Sequence, residues 1–240
     1  MRLPVLPLLA LALVSPTWAV TLYDSALGTV PAQQGWLTWP PGAYTQSVGG
    51  NLYNFSTMAN IGSQAGSTPL VLRPLDTAAG FQLDFVLRVV QEEHSTPQRA
   101  GFSVIAVGQD PTHGIEINFW TDRVGSYYGY NVPEGDPFTQ GPSQAFDATQ
   151  LTSYRLRVQN QSFTLSAGGV VLFGGALQDY SPQSPYSTPN FMYFGDDSGS
   201  ARSSVQLGLV TLSAVPEPSA PLLWAVGLAA VGALARRRRA

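Results

Sequence analysis

The 240-residue chain has no cysteine, and its twelve basic residues are all arginine. Disulfides, thiolate metal sites, thiol nucleophiles, Schiff-base lysines and phosphate-loop lysines are therefore excluded. The formal net charge is −3, but four arginines stand together at the C-terminus and residues 20–214 hold fourteen acids against seven arginines, a net −7 that disfavours nucleic acid as a partner.

Residues 1–19, MRLPVLPLLALALVSPTWA, start with Arg2, run apolar from Leu3 to Val14 and end in Thr17-Trp18-Ala19. A basic start, a short apolar stretch and small residues before a cut are the parts of a secretory signal peptide. The stretch is too short to span a bilayer core of roughly 30 Å, so the expectation is export and removal after Ala19.

Residues 20–214 read as one all-β domain. Leu22-Tyr23 starts an edge strand. Residues 33–60 read as a long surface loop into which Trp36, Trp39 and Tyr44 tuck. From Phe81 to Val90 apolar residues alternate strictly, with Phe81, Leu83, Phe85, Leu87 and Val89 on one face and Gln82, Asp84 and Arg88 on the other. Further period-two runs cover 101–107, 115–120, 154–158, 162–166, 170–173, 191–194 and 205–212, with Gly, Pro, Asn and Asp between them. Gln159-Asn160-Gln161 reads as the turn of one hairpin and Ala167-Gly168-Gly169 as the turn of the next. Short strands at such spacing point to an antiparallel β-sandwich.

The segments RAGFSVIAVGQDPTHGIEINFW, YRLRVQNQSFTLSAGGVVLF and NFMYFGDDSGSARSSVQLGLVTL resemble the concanavalin A-like jelly roll of LamG-type and legume-lectin-type domains. The likeness is one of strand rhythm over about 81–212. In jelly rolls of that kind a concave sheet holds sugar by stacking an aromatic ring on the pyranose while polar groups fix its hydroxyls. Alternation along 115–120 places Glu116, Asn118 and Trp120 on one such face, extended by Tyr127, Tyr128 and Tyr130 and faced by Arg88 from a neighbouring strand. The bland reading is that Trp120 caps the sandwich rim and Glu116 pairs with an arginine. The resemblance also permits a test for hydrolysis. Laminarinase-like enzymes read Glu-x-Asp-x-Glu or Glu-x-Asp-x-x-Glu here, whereas this chain has Asn118 at the middle position and Trp120 and Thr121 at the acid positions. The signature is broken, and the expectation is a protein that is not an enzyme.

Glu92-Glu93-His94 reads as a solvated turn. Asp196 and Asp197, with Asp24 brought in from the N-terminal segment, offer calcium the oxygen ligands it takes, while the competing reading is an acidic hairpin turn. No other cofactor is expected.

The last segment, VPEPSAPLLWAVGLAAVGALARRRRA, joins Val215-Pro216-Glu217-Pro218 to an apolar span at 221–235 and to Arg236, Arg237, Arg238 and Arg239. The span falls short of the roughly 20 residues of a comfortable transmembrane helix, and the arginines hold their end on the cytoplasmic side. Prolines 216, 218 and 221 keep the chain before the span extended. This order resembles the PEP-CTERM sorting signal of Gram-negative surface proteins. The resemblance implies transient inner-membrane anchoring by a C-terminal helix, cutting near Pro-Glu-Pro by exosortase, a membrane transpeptidase-like enzyme, and passage to the cell surface or its polysaccharide matrix. The function expected is that of an exported, non-enzymatic surface protein with extracellular polysaccharide as ligand; the alternatives are a glycan-active hydrolase or lyase and a structural protein with no small ligand.

Overall fold

The computed structural model describes residues 18–39, 44–59, 64–71, 73–131 and 136–215. Of the signal peptide expected at 1–19, residues 1–17 lie outside them, as do the motif residues Pro216, Glu217 and Pro218, the span and Arg236–Arg239; Trp18 and Ala19 are described, and Ala19 pairs with Ser213 in a strand. Among the described residues no helix is long and apolar enough to cross a membrane.

In chain order the strands are β1 Ala19–Tyr23, β2 Leu37–Trp39, β3 Thr45–Gly49, β4 Leu52–Ser56, β5 Ala65–Thr68, β6 Phe81–His94, β7 Ser103–Val107, β8 Gly114–Phe119, β9 Arg123–Tyr127, β10 Gln140–Ala145, β11 Thr152–Gln159, β12 Ser162–Ala167, β13 Val170–Ala176, β14 Met192–Asp196 and β15 Ala201–Ala214. Two short 3-10 turns, Ser25–Leu27 and Pro31–Gln34, follow β1. The strands form two antiparallel sheets. One runs β13-β12-β11-β6-β15-β4-β3, with β1 beside β15; the other runs β10-β9-β8-β7-β14-β5-β2. The all-β sandwich expected from the sequence is what forms.

The long strands β6 and β15 lie side by side at the centre of the first sheet. Strand β15 is flanked on its other edge by β4 at Ser204–Leu207 and by β1 at Val210–Ser213. The inward face of β6 is the alternating set read from the sequence. Phe81, Leu83, Phe85, Leu87 and Val89 are all buried. Phe85 stacks on Tyr154 at 5.4 Å and meets Phe119 and Phe194 edge-on at 6.0 and 5.9 Å, so aromatic side chains from both sheets make the core between them.

Both hairpins form. Asn160 and Gln161 adopt φ of 51° and 57°, and Gly168 and Gly169 of 56° and 85°; the pairings Gln159↔Ser162 and Ala167↔Val170 make each a two-residue turn, the left-handed kind that suits strand twist. The expectation of a loop over 33–60 does not hold. That segment contains β2, β3 and β4, with Gly50 and Asn51 at φ 61° and 59° turning β3 into β4. Trp36 is buried, donating from Nε1 to the Leu22 carbonyl at 2.6 Å, and Tyr44 packs on Phe55 at 5.1 Å. Trp39 does not tuck in; it is 69% exposed.

Candidate functional site

Every residue of β7, β8 and β14 is buried. The middle of the second sheet is thus covered on both faces: one by the first sheet, the other by loops. Alternation sends Val104, Ile115, Ile117, Phe119, Met192 and Phe194 to the inter-sheet core and Ser103, Ile105, Val107, Glu116, Asn118 and Tyr193 to the outer face. A second apolar cluster forms there. Ile105, Val107, Trp120, Tyr127 and Tyr193 pack with Ala100, Tyr180 and Tyr186, flanked by Phe138 and Phe191.

The cover is the segment 177–191, LQDYSPQSPYSTPNF, rich in Pro and Ser. It is pinned at both ends and in the middle. Gly114 and Gln178 exchange backbone hydrogen bonds at 2.8 Å, Asn190 N donates to the Gly108 carbonyl, and Tyr180 Oη donates to the Tyr127 carbonyl at 2.6 Å. Gly129 permits the crossing, since a β-carbon there would sit 2.5 Å from the Asp179 carbonyl oxygen.

Beneath Tyr186 lies a polar knot. Tyr186 Oη stands 2.5 Å from Glu116 Oε2 and 3.0 Å from Asp197 Oδ2. Ser103 Oγ stands 3.1 Å from Glu116 Oε1 and 3.0 Å from Asp197 Oδ1. Asn118 Nδ2 donates to Glu116 Oε1 at 2.8 Å and to Ser103 Oγ at 3.0 Å, while its Oδ1 is buried without a partner. Burial, then the neighbouring Asp197 charge, pushes the Glu116 carboxyl well above the ordinary carboxylate range. Burial likewise raises the hydroxyls of Tyr127, Tyr180, Tyr186 and Tyr193, so all four stay protonated.

Asp197 also opens onto a cavity of about 420 Å³. Its walls include Trp39, Arg99, Tyr130, Phe138, Tyr186 and Tyr193. Trp39 and Tyr130, 69% and 43% exposed, make its rim. The Arg99 guanidinium lies over the Tyr127 and Phe138 rings at 5.1 and 5.6 Å, close enough for cation–π attraction. Phe138 holds a φ of 63°, costly for an aromatic residue, and its amide donates to the Tyr128 carbonyl at 2.8 Å.

These positions revise the expected platform. Glu116 and Asn118 do share a face, but it is roofed, and neither has exposed surface. Trp120 is fully buried as well: its Nε1 donates to the Arg99 carbonyl at 3.1 Å and Arg123 stacks on it at 4.2 Å. Arg88 belongs to β6 in the other sheet and bonds Gln206 at 2.7 Å, so it cannot face this one. Tyr127 points into the cluster and its successor Tyr128 is placed by alternation on the opposite side; Tyr130 is the tyrosine of that run at the cavity.

The expected calcium ligands are dispersed. Asp24 caps the first 3-10 turn, accepting from the Ala26 amide at 2.9 Å. Asp196 and Asp197 leave β14 on opposite faces: Asp196 accepts from Thr57 Oγ1 at 2.8 Å and from the Ser198 amide and hydroxyl at 3.0 Å, while Asp197 joins the knot. Among the described residues no three His, Asp or Glu gather as a metal group. Glu92 and His94 do meet, at 2.7 Å, on β6 rather than in a turn.

The cavity residues that sequence reasoning missed are Trp39, Arg99, Phe138, Tyr186 and Tyr193. One signal was available: aromatic rings in QDYSPQSPYSTPNF, a turn-rich stretch, need a surface to bury against.

No curated protein sequence matches the chain. Several solved structures share its fold, three of them as follows. A carbohydrate esterase from the Shiga toxin-encoding bacteriophage phi24B aligns with a TM-score of 0.56 at 14% identity, covering 82% of this chain and 99% of that one. A Crh5 transglycosylase aligns at 0.53 and 13%, covering 87% and 88%, and the Emp46p carbohydrate recognition domain at 0.50 and 12%, covering 80% and 94%. The family model that matches is the PEP-CTERM protein-sorting motif, over residues 214–239. That motif implies export, membrane-anchored sorting and processing by exosortase, so the chain carries a PEP-CTERM sorting motif behind a body that is a jelly-roll β-sandwich.

Proposed function

We propose that the chain is an exported, non-enzymatic protein of the cell surface or its matrix that holds a carbohydrate in the cavity at Asp197. The observation that carries this reading is the composition of that cavity: exposed indole and phenol rings at the rim and a carboxylate acceptor within. A pyranose offers an apolar C–H face to such rings and hydroxyl donors to such an acceptor. The similar folds include a carbohydrate recognition domain and two glycan-active proteins, which is consistent with a sugar and neutral between binding and turnover.

Glu116 favours holding over turnover. A general acid must come within about 2.6–3.2 Å of the atom it protonates, but both Glu116 oxygens are engaged by Tyr186, Ser103 and Asn118 and the residue has no exposed surface. The second reading, a glycan-active enzyme, draws on the same knot, where two carboxyls share one tyrosine hydroxyl. A glycan array of the mature protein, followed by product analysis of the retained glycans, separates the readings. Retention without shortened products supports binding, shortened or unsaturated products establish an enzyme, and silence on all glycans leaves a structural surface protein.

A further inference from the structure

The knot contains too few hydroxyl protons for its contacts. Tyr186 Oη and Ser103 Oγ make four close contacts with carboxyl oxygens of Glu116 and Asp197, between 2.5 and 3.1 Å, yet each hydroxyl has a single proton to donate. With both carboxyls ionised, two of those contacts would set lone pair against lone pair inside a desolvated cluster. One added proton on Glu116 Oε2 resolves three of the four. Glu116 then donates to Tyr186 across the shortest contact, Tyr186 donates to Asp197 Oδ2, and Ser103 donates to Asp197 Oδ1. Asn118 Nδ2 already donates to Glu116 Oε1 and Ser103 Oγ. The chain of donors runs one way, from the buried acid outward, and ends on the carboxylate that lines the cavity.

Facing Glu116 are Asp197 from the end of β14, Tyr127 from β9, Tyr193 from β14, and Tyr180 and Tyr186 from the covering segment. The cavity's cation is Arg99; its guanidinium rests on the Tyr127 and Phe138 rings. No ion pair joins it to either carboxyl among the described residues.

Resting on the reading of this cavity as a carbohydrate site, we infer that Glu116, Tyr186 and Asp197 hold one proton beyond the tyrosine's own, leaving Asp197 as a single anion in a cavity that Arg99 also lines, and that the cavity selects uncharged saccharides. Adjacent hydroxyls of a neutral sugar donate to the free lone pairs of Asp197 at no electrostatic cost. A uronate would set an anion against Asp197 as well as Arg99, and an amino sugar a cation against Arg99 as well as Asp197, so each charged sugar meets a like charge that a neutral sugar does not.

Calorimetric titration of the mature protein at pH 7 with neutral, uronate-bearing and amine-bearing oligosaccharides tests the selection. Neutral sugars are expected to bind at least tenfold more tightly, and Asp197→Asn to lose tenfold or more of that affinity. A preference for uronates or amino sugars would overturn the inference while leaving the carbohydrate site standing; binding of none would overturn both. The shared proton has a ligand-independent test. Glu116→Gln copies the neutral acid, so it should melt at or above the wild-type temperature at pH 7, and the difference infrared spectrum should show the loss of a protonated carboxyl. A variant that melts well below wild type, or a difference spectrum showing only an ionised carboxylate lost, overturns it.

Discussion

Trp120 and Trp39 lead to opposite expectations. Trp120→Ala removes a buried indole packed on Tyr127 and Arg123 and should cost about 3–5 kcal/mol, read as a large fall in melting temperature. Trp39→Ala removes a ring that is 69% exposed; the melting temperature should hardly move, while affinity for the cavity ligand should fall about tenfold, since an aromatic anchor commonly contributes more than 1 kcal/mol. Trp39 would lose its place at the site if glycan affinity were untouched. A third residue fixes the cavity indirectly. Gly66 lies under Tyr193, and a β-carbon there would stand 2.5 Å from the ring and 2.7 Å from the Phe194 carbonyl oxygen. Gly66→Ala should therefore displace Tyr193 and weaken binding together with stability, whereas the contact-free Gly199→Ala should do neither.

The covering segment 177–191 is the element on which the site depends. Tyr180→Phe deletes its hydrogen bond to the Tyr127 carbonyl at 2.6 Å and leaves that acceptor buried, a loss of about 1–3 kcal/mol. Faster amide exchange at 178–183, with β6 and β15 protection unchanged, is the expected signature. This segment also marks how far the sequence could be read. Strands β6, β8, β11 and β12 were legible because each buries one face or both in a strict two-residue rhythm, β15 because it keeps that rhythm on either side of a slip between Leu207 and Val210, and both hairpin turns because Asn and Gly advertise left-handed backbone. Strands β3 and β4 escaped although Gly50 and Asn51 carry the same signal, since β3, TQSVG, is largely exposed and has no apolar rhythm. Strand β10 escaped because Pro142 lies within it, tolerable at the sheet edge where its register shifts between Gln140 and Ser143. For the site, periodicity correctly grouped Glu116, Asn118 and Trp120 on one face, but it carries no information on whether a loop sixty residues later, by rough count, will roof that face. The error lay in reading polarity as exposure.

Buried acids give the whole molecule an unusual pH response. Burial, against the opposing donors on Ser198 and Thr57, pushes the Asp196 carboxyl up to about 7 from 3.8. A raised value means the folded chain binds more protons than the unfolded one over that interval, so stability should fall as pH rises from about 4 to about 7, by up to about 4 kcal/mol. Glu116 adds a loss of the same sign. Denaturant titrations across that range should show the fall, and Asp196→Asn should flatten it; a wild-type profile that rises instead would refute the assignment. Maturation gives a second expectation. Mass spectrometry of the surface form should find a C-terminus within 215–219, and a retained Arg236–Arg239 run would contradict sorting by cleavage. The position of β15 bears on what happens before that cut. Strand β15 is hydrogen-bonded along both edges and pairs with β6 from Ala201 to Ala214, and Val215 is still buried, its amide bonded to the Gly80 carbonyl at 3.3 Å. The chain passes from there straight into the sorting motif. Any pull on the C-terminal end of the domain thus meets a central strand held along both edges, and many ladder bonds must yield before it comes away. A precursor held by its anchor should therefore keep this domain folded until the cut.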